Sequence, residues 1–109
     1  SSASASSINR MALARRAVQV APDQAALRDT LAQALAEVGR LPEAVGMQKQ
    51  ALALQPDDPN LRLRLARLYA QVNEKKLAKA ELDRLAALGD RYPRQAEVAE
   101  VLKSLGGRL

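Results

Sequence analysis

The chain repeats itself every 34 residues, and this period constrains its fold more than any other feature. Pro22-Asp23 returns as Pro56-Asp57, and Pro59 returns as Pro93. Further residues return at the same interval: Ala17, Arg28, Leu31, Ala32, Ala36, Val38 and Ala44 as Ala51, Arg62, Leu65, Ala66, Ala70, Val72 and Ala78. A fixed period of this length is typical of stacked helix pairs, in which no unit buries its apolar face alone. The repeat therefore predicts helical hairpins and favours a binding role.

Apolar residues recur at helical spacing along the chain, and the alternation of a β-strand is absent. Gly39 and Gly89 are suited to close helices, whereas Pro42 and Pro59 stand where a first helical turn tolerates proline. The sequence predicts an all-α fold, an α-solenoid of antiparallel helix hairpins with about two full repeats plus flanking half-repeats. The predicted segments are an unstructured Ser/Ala leader over 1–7, a half repeat over 8–21, repeats over 25–58 and 59–92, a terminal capping helix over 93–105 and a flexible tail over 106–109.

The composition restricts both the core and the chemistry. Hydrophobic residues make up 48% of the chain but aromatic residues only 2%, so Leu, Ala and Val must fill the interior by close helix packing. The chain has no His and no Cys, which removes thiol chemistry, most metal sites and the commonest general base. A chain without Cys is compatible with both the cytoplasm and the periplasm, so composition does not decide the compartment. The net charge of +5 raises nucleic acids and anionic surfaces as partners.

Asp57 and Asp58 are the most conspicuous carboxylate pair, and their position predicts a structural role. They lie in a turn that also occurs at Pro22-Asp23, where an Asp at a helix start satisfies free backbone N–H groups. No Gly-rich phosphate loop is present, because the glycines are scattered or terminal. The sequence therefore predicts a protein that is not an enzyme and that binds no cofactor and no metal.

A 34-residue helix-turn-helix unit with proline near its end resembles the tetratricopeptide repeat (TPR) family. With Ala25 as its first residue, one copy matches the family pattern at Leu31, Ala32, Leu35, Gly39, Ala44, Ala51 and Pro56. A second copy from Pro59 matches at Leu65, Ala66, Tyr69, Asn73 and Ala78. It departs from the pattern at Leu85 and Asp90, so the turn near 87–92 is expected to differ.

The resemblance implies a scaffold or adaptor that holds a peptide or partner protein on the concave face of its first helices. Carried onto this chain, the family's concave positions predict partner-binding residues at Asp29, Thr30, Gln33, Glu37, Asn60, Leu63, Arg64, Arg67 and Gln71. Arg64 and Arg67 can present two guanidinium groups to a carboxylate or phosphate. Leu63 is expected at the surface, where it could seat an apolar side chain. A solvated basic face is the alternative interpretation of these residues.

Two further functions stay open. Self-association through exposed terminal helices would be driven by Ile8, Met11 and Val18, whereas RNA binding is favoured by charge but opposed by the scarcity of aromatic residues. Only Tyr69 and Tyr92 could stack on bases, and Tyr69 is expected to be buried. Residues 80–105 also resemble the closing segment of long bacterial TPR proteins of exopolysaccharide and exosortase export systems. That narrower resemblance implies a fragment of a larger protein and a periplasmic location.

Overall fold

Six α-helices follow one another along residues 5–106, the part of the chain that the computed structural model describes. They are α1 (Ala5–Val20), α2 (Ala25–Glu37), α3 (Leu41–Leu54), α4 (Pro59–Gln71), α5 (Lys75–Ala86) and α6 (Gln95–Ser104). A short 3-10 helix, Gly89–Arg91, lies between α5 and α6. These residues contain no strand, so the predicted all-α class is confirmed. The helices form two compact units, Ser1–Asp57 with α1 to α3 and Asp58–Leu109 with α4 to α6.

The turns inside each helix pair are set by a residue with left-handed backbone conformation. Gly39 follows α2 with φ of 86°, and Asn73, which stands 34 residues later, follows α4 with φ of 65°. Glycine adopts this region without strain, and asparagine tolerates it better than most residues. Behind Asn73, the Glu74 N–H donates to the Tyr69 carbonyl at 2.8 Å, which satisfies a carbonyl at the end of α4. The two turns therefore repeat in geometry although their residues differ.

Asp58 caps α4 as the sequence predicted. Its side-chain oxygen accepts from the backbone N–H of Asn60 at 2.9 Å and of Leu61 at 3.4 Å, and Pro59 is the first helical residue. These contacts satisfy backbone donors that have no partner within the helix. The role of Asp58 is thus structural.

In the first unit, α2 packs against both α1 and α3. Ala32 on α2 and Ala44 on α3 have no exposed surface, and Leu31 and Leu35 are only 1% exposed. Small side chains at such positions let helix axes approach to about 8–10 Å. The core of this unit therefore combines alanine contacts with leucines of α2.

In the second unit, α4 packs against α5, and α6 contacts both of these helices. Ala66 and Ala78 are fully buried, as are Leu82 and Leu85 on α5. Tyr69 is 7% exposed, which confirms its predicted burial. Tyr92, in the segment before α6, is 3% exposed and adds a second ring to a core otherwise made of aliphatic side chains.

Arg28 and Arg62 stand at equivalent positions of α2 and α4, and each reaches the second helix of its own pair. The Arg28 guanidinium donates to Gln50 on α3 and lies 3.7 Å from the Met47 sulfur. The Arg62 guanidinium forms an ion pair with Glu81 on α5. Because both side chains of that pair are at most 20% exposed, water screens it less than an exposed pair. These arginines tie the two helices of each pair together.

Several predicted boundaries differ from the structure. Residues 5–7 of the predicted leader are helical, because Ala and Ser extend the helix that the apolar stripe from Ile8 begins. Residues 1–4 of the predicted leader and residues 107–109 of the predicted tail lie outside the described part of the chain. The last helix begins at Gln95 and not at 93, because the 3-10 helix lengthens the connection. Val18 is buried and Met11 half-buried, so neither belongs to an exposed terminal stripe. Within residues 5–106, no helix has the length and hydropathy that crossing a membrane requires.

Candidate functional site

The exposed side of α4 is narrow and polar. Asn60, Arg64, Arg67 and Gln71, here called the α4 stripe, follow one another at intervals of four, three and four residues, which places them on one face of a helix. Asn60 and Gln71 are exposed, and the two arginines are half-buried. Most of the other α4 side chains are buried in the core. Four predicted site residues therefore do share one accessible surface.

The equivalent side of α2 carries Ala26, Thr30, Gln33 and Glu37, here called the α2 stripe, and all of them are exposed. Its polar groups are occupied by neighbours. The Thr30 hydroxyl donates to the Ala26 carbonyl at 3.0 Å, and Glu37 forms an ion pair with Arg10 of α1 at 2.5 Å. The α2 stripe thus offers shorter side chains than the α4 stripe and no guanidinium of its own.

Two predicted site residues, Asp29 and Leu63, are buried and belong to neither stripe. Asp29 is 6% exposed and Leu63 is 0% exposed. The physical reason is helix rotation: each stands three residues before a fully buried alanine, Ala32 or Ala66, and therefore lies on the packed side of its helix. The prediction that Leu63 forms a surface seat for an apolar side chain is wrong.

The burial of Asp29 reveals a polar pair that sequence reasoning missed. Its Oδ1 accepts from Nε2 of Gln48 on α3 at 2.9 Å, and its Oδ2 accepts from Nε2 of Gln33 at 3.1 Å. Gln48 has no exposed surface. The residues 34 positions after Asp29 and Gln48 are Leu63 and Leu82, both fully buried. The first repeat therefore has two polar side chains at positions where the next repeat has two leucines. The signal available in the sequence was a glutamine four residues after the packing alanine, Ala44.

A second polar group joins α4 to α6 and consists of Asn60, Arg67, Tyr92, Arg94 and Glu97, here called the Glu97 cluster. Glu97 Oε1 accepts from Arg67 Nη2 at 3.0 Å and from Arg94 Nη2 at 2.8 Å, and its Oε2 accepts from Arg94 Nε at 2.5 Å. The hydrogen bonds from Arg94, with those from Arg67, lower the pKa of Glu97 to about 2. One carboxylate therefore serves two guanidinium groups.

Asn60 connects the rest of the cluster. Its Oδ1 accepts from the Tyr92 hydroxyl at 2.9 Å and from Arg94 Nη1 at 3.0 Å. Burial raises the pKa of the Tyr92 hydroxyl above its ordinary value, so this group remains a hydrogen-bond donor at neutral pH. Two residues of the α4 stripe, Asn60 and Arg67, are thus held by side chains at the start of α6.

The positive charge of the chain is concentrated in its second half. Residues 58–109 contain eleven Lys and Arg against seven Asp and Glu, whereas residues 1–57 contain six against five. The α4 stripe therefore belongs to the more basic unit. Among the described residues, no group of three or more acidic side chains could hold a metal ion.

A family model described as tetratricopeptide repeat matches residues 39–102, which is more than half of the chain. The chain belongs to the tetratricopeptide repeat family. The match runs from the turn after α2 into α6 and so includes α3, α4 and α5, which confirms the predicted family. No curated protein matches the chain. The narrower resemblance to exopolysaccharide and exosortase export proteins receives no support.

TPR repeats generally mediate protein–protein interaction, and the family is typically a scaffold and not an enzyme. The α4 stripe is chemically suited to protein contacts, because accessible polar side chains stand on a helix whose other faces are packed. Such a surface can form several hydrogen bonds with a partner without a change in the fold.

Proposed function

We propose that this TPR chain is a protein-interaction module and that its partner, a peptide segment or a protein surface, contacts the α4 stripe. The observation that carries the proposal is the alignment of Asn60, Arg64, Arg67 and Gln71 on the one accessible face of a helix that is otherwise buried. Asn60 and Arg67 are already held by hydrogen bonds, so they lose little conformational freedom on binding, which favours affinity. The α2 stripe is the weaker candidate, because its side chains are shorter and include no guanidinium group.

A site-specific crosslink tests this proposal. A photoreactive amino acid replaces the exposed Gln71 on the α4 stripe, and a matched control carries it at the exposed Ala80 on α5. After irradiation in a lysate of the source cell, a partner should be captured from position 71 and not from position 80. Equal capture at both positions, or none at 71, would refute the assignment of the surface.

Charge reversal supplies a second measurement on the same surface. Arg64→Glu should weaken capture from position 71, because it places a negative charge on the α4 stripe. Arg84→Glu, which changes an exposed arginine on α5, is the matched control and should leave capture unchanged.

Self-association is a second candidate, favoured by exposed apolar residues on α1. Leu13 is 68% exposed and Val20 is 80% exposed, and their spacing of seven residues places them on one side of the helix. These residues, with Ile8 at 47%, replace the predicted set that included Met11 and Val18. Sedimentation over a wide concentration range tests the idea: dimers should form in the wild type and not in Leu13→Gln, and a monomer at every concentration refutes it.

RNA binding is less favoured than protein binding, because the described residues offer no exposed ring for base stacking. Tyr69 and Tyr92 are both below 10% exposed. A gel shift at low salt with single-stranded RNA checks this: no retardation is expected. Association with an export system and a periplasmic location remain proposals that no observation on the described residues favours.

A further inference from the structure

The Glu97 cluster has the composition of an occupied carboxylate site. A carboxylate lies between two arginines that come from different segments, Arg67 on α4 and Arg94 just before α6. Arg94 meets it with two parallel donors, Nε and Nη2, which is the fork geometry that recognises a carboxylate. Any carboxylate delivered to this position would find the same donors.

We propose that the Glu97 cluster is a binding site for an acidic segment of the partner, and that the protein's own Glu97 occupies it until a partner carboxylate takes its place. This inference rests on the proposed function, since it names the chemistry of the partner at the α4 stripe. Arg67 belongs to that stripe, and so does Asn60, which accepts from Arg94.

The exposure of the three ionic side chains makes the exchange feasible. The side chains of Arg67, Arg94 and Glu97 are 42%, 35% and 37% exposed, so a partner group can approach both arginines from solvent. Water competes with ion pairs at this degree of exposure, so their partners can exchange. Because Glu97 itself reaches solvent, it can turn to water when another carboxylate takes over its hydrogen-bond donors.

The remaining cluster contacts keep the arginine fork in place after such an exchange. Arg94 Nη1 donates to Asn60 at 3.0 Å, and the Tyr92 hydroxyl holds Asn60 from the buried side at 2.9 Å. These bonds do not involve Glu97. The donors would thus stay oriented for an incoming carboxylate, and the cost of ordering them is already met by the fold.

The charge distribution favours an acidic peptide as the occupant. The eleven basic and seven acidic residues of 58–109 give this unit an excess of four positive charges, and Arg64 stands one turn from Arg67 on the same stripe. Such a field attracts an acidic chain and repels a basic one.

Fluorescence anisotropy with a labelled hexaglutamate peptide tests the proposal on the full chain, with a Gly-Ser hexapeptide as the uncharged probe. Glu97→Gln keeps the shape of the side chain but removes the competing charge and its repulsion of the peptide. It should tighten binding of hexaglutamate by about three- to tenfold, the size of two exposed charge interactions. The gain should shrink as salt is raised to about 0.15 M and above.

Matched variants separate occupation of the site from a general charge effect. Glu100→Gln removes the same charge from the same helix at a residue that forms no ion pair within the described part of the chain, and it should change affinity less than about twofold. In the Glu97→Gln background, Arg94→Ala should abolish the gain, whereas Arg84→Ala should preserve most of it.

Several results would overturn the inference. They are equal affinities for Glu97→Gln and Glu100→Gln, a gain that survives Arg94→Ala, or tighter binding of single-stranded RNA than of the peptide. A merely structural ion pair would lower the melting temperature of Glu97→Gln without raising affinity. If Glu97→Gln does not fold, titration of wild type with hexaglutamate followed by NMR decides, because the Arg94 Nε–H signal must move. Crosslinking from position 71 that persists while these tests fail would overturn this inference and leave the proposed function standing.

Discussion

A double substitution, Asp29→Leu with Gln48→Leu, tests how the two repeats build the same contact. It gives the first repeat the leucines that occupy the equivalent positions of the next repeat. In the first unit, Gln48 Nε2 donates to Asp29 Oδ1 at 2.9 Å, and both residues are buried. In the second unit, Leu63 and Leu82 fill the corresponding positions with no exposed surface. The two solutions are alternatives for one position in the fold, so a matched exchange should be tolerated where a single change is not.

The magnitudes follow from what each single change leaves behind. Asp29→Leu removes the acceptor that the buried Gln48 amide uses, which should cost about 1–3 kcal/mol in the free energy of unfolding. Gln48→Leu removes a donor from a carboxylate that is only 6% exposed, and bonds to charged groups contribute about 1.5–3 kcal/mol. The double variant replaces both polar groups by apolar ones and should lie within about 1.5 kcal/mol of wild type.

Urea unfolding followed by circular dichroism gives the free energies of unfolding of wild type, of the two single variants and of the double variant. The coupling energy between positions 29 and 48 should be at least about 1 kcal/mol, and the double variant should be more stable than either single variant. Hydrogen exchange should place the loss of protection of the single variants in α2 and α3. Additive effects, with the double variant the least stable of the four, would refute the reasoning.

The reverse exchange in the second unit is the matched control. Leu63→Asp introduces a carboxylate at a fully buried position and should destabilise the chain by about 2 kcal/mol or more. Adding Leu82→Gln supplies a donor at the position of Gln48 and should restore part of this loss. No restoration would mean that the polar pair depends on groups that the second unit lacks.

Three other predictions address the packing, the turn and the Glu97 cluster. Ala66→Leu should overpack the contact between α4 and α5 and cost about 1–3 kcal/mol in a thermal melt, and the equivalent Ala32→Leu should cost a similar amount in the first unit. Asn73→Ala should cost about 1–2 kcal/mol because Asn73 has φ of 65°, whereas Asn73→Gly, which copies Gly39, should be neutral or stabilising; equal losses for both would contradict the strain argument. Since the pKa of Glu97 is lowered from 4.5 to about 2, its stabilisation is complete above about pH 4.5 and is lost as pH falls towards 2. The melting temperatures of wild type and Glu97→Gln should therefore converge as pH falls from about 4.5 towards 2. A constant difference would contradict the stabilising role of the Glu97 carboxylate.

The helices and their pairing could be predicted from the sequence because they follow from local pattern. Apolar residues at helical spacing, Pro59 after Asp58, and Gly39 at a helix end each act within one turn of chain. The 34-residue period then identified the alanines that are buried between paired helices, such as Ala32 and Ala66. These predictions did not depend on knowing any long-range contact.

The site residues could be predicted only in part, because burial on a helix depends on rotation about its axis. Thr30 and Asp29 are consecutive, so they differ by about 100° around α2, and only the first is exposed. The family positions did not indicate whether Asp29 and Leu63 would lie on the exposed or on the buried side of their helices. Of the α4 stripe, Asn60 and Gln71 are exposed and Arg64 and Arg67 are half-buried, and the role of all four in binding stays a prediction.

The Glu97 cluster was not predictable from the repeat. Pro59 begins α4, but its equivalent, Pro93, precedes α6, which starts two residues later at Gln95. The 3-10 helix Gly89–Arg91 causes this shift, and no periodicity describes it. The contact between Arg67 and Glu97 joins residues 30 positions apart, so it appears only when α4 and α6 are folded together.

Tyr92 gives this chain an intrinsic optical probe beside the α4 stripe. The chain has no tryptophan and two tyrosines, so its near-ultraviolet spectrum comes from two phenol rings alone. The Tyr92 hydroxyl donates to Asn60, whereas Tyr69 is a buried residue of α4 itself. Any molecule that disturbs Asn60 alters the hydrogen bond of one chromophore, and difference absorption or emission records it. Partner screens can therefore be carried out on unlabelled protein, with Tyr92→Phe as the blank.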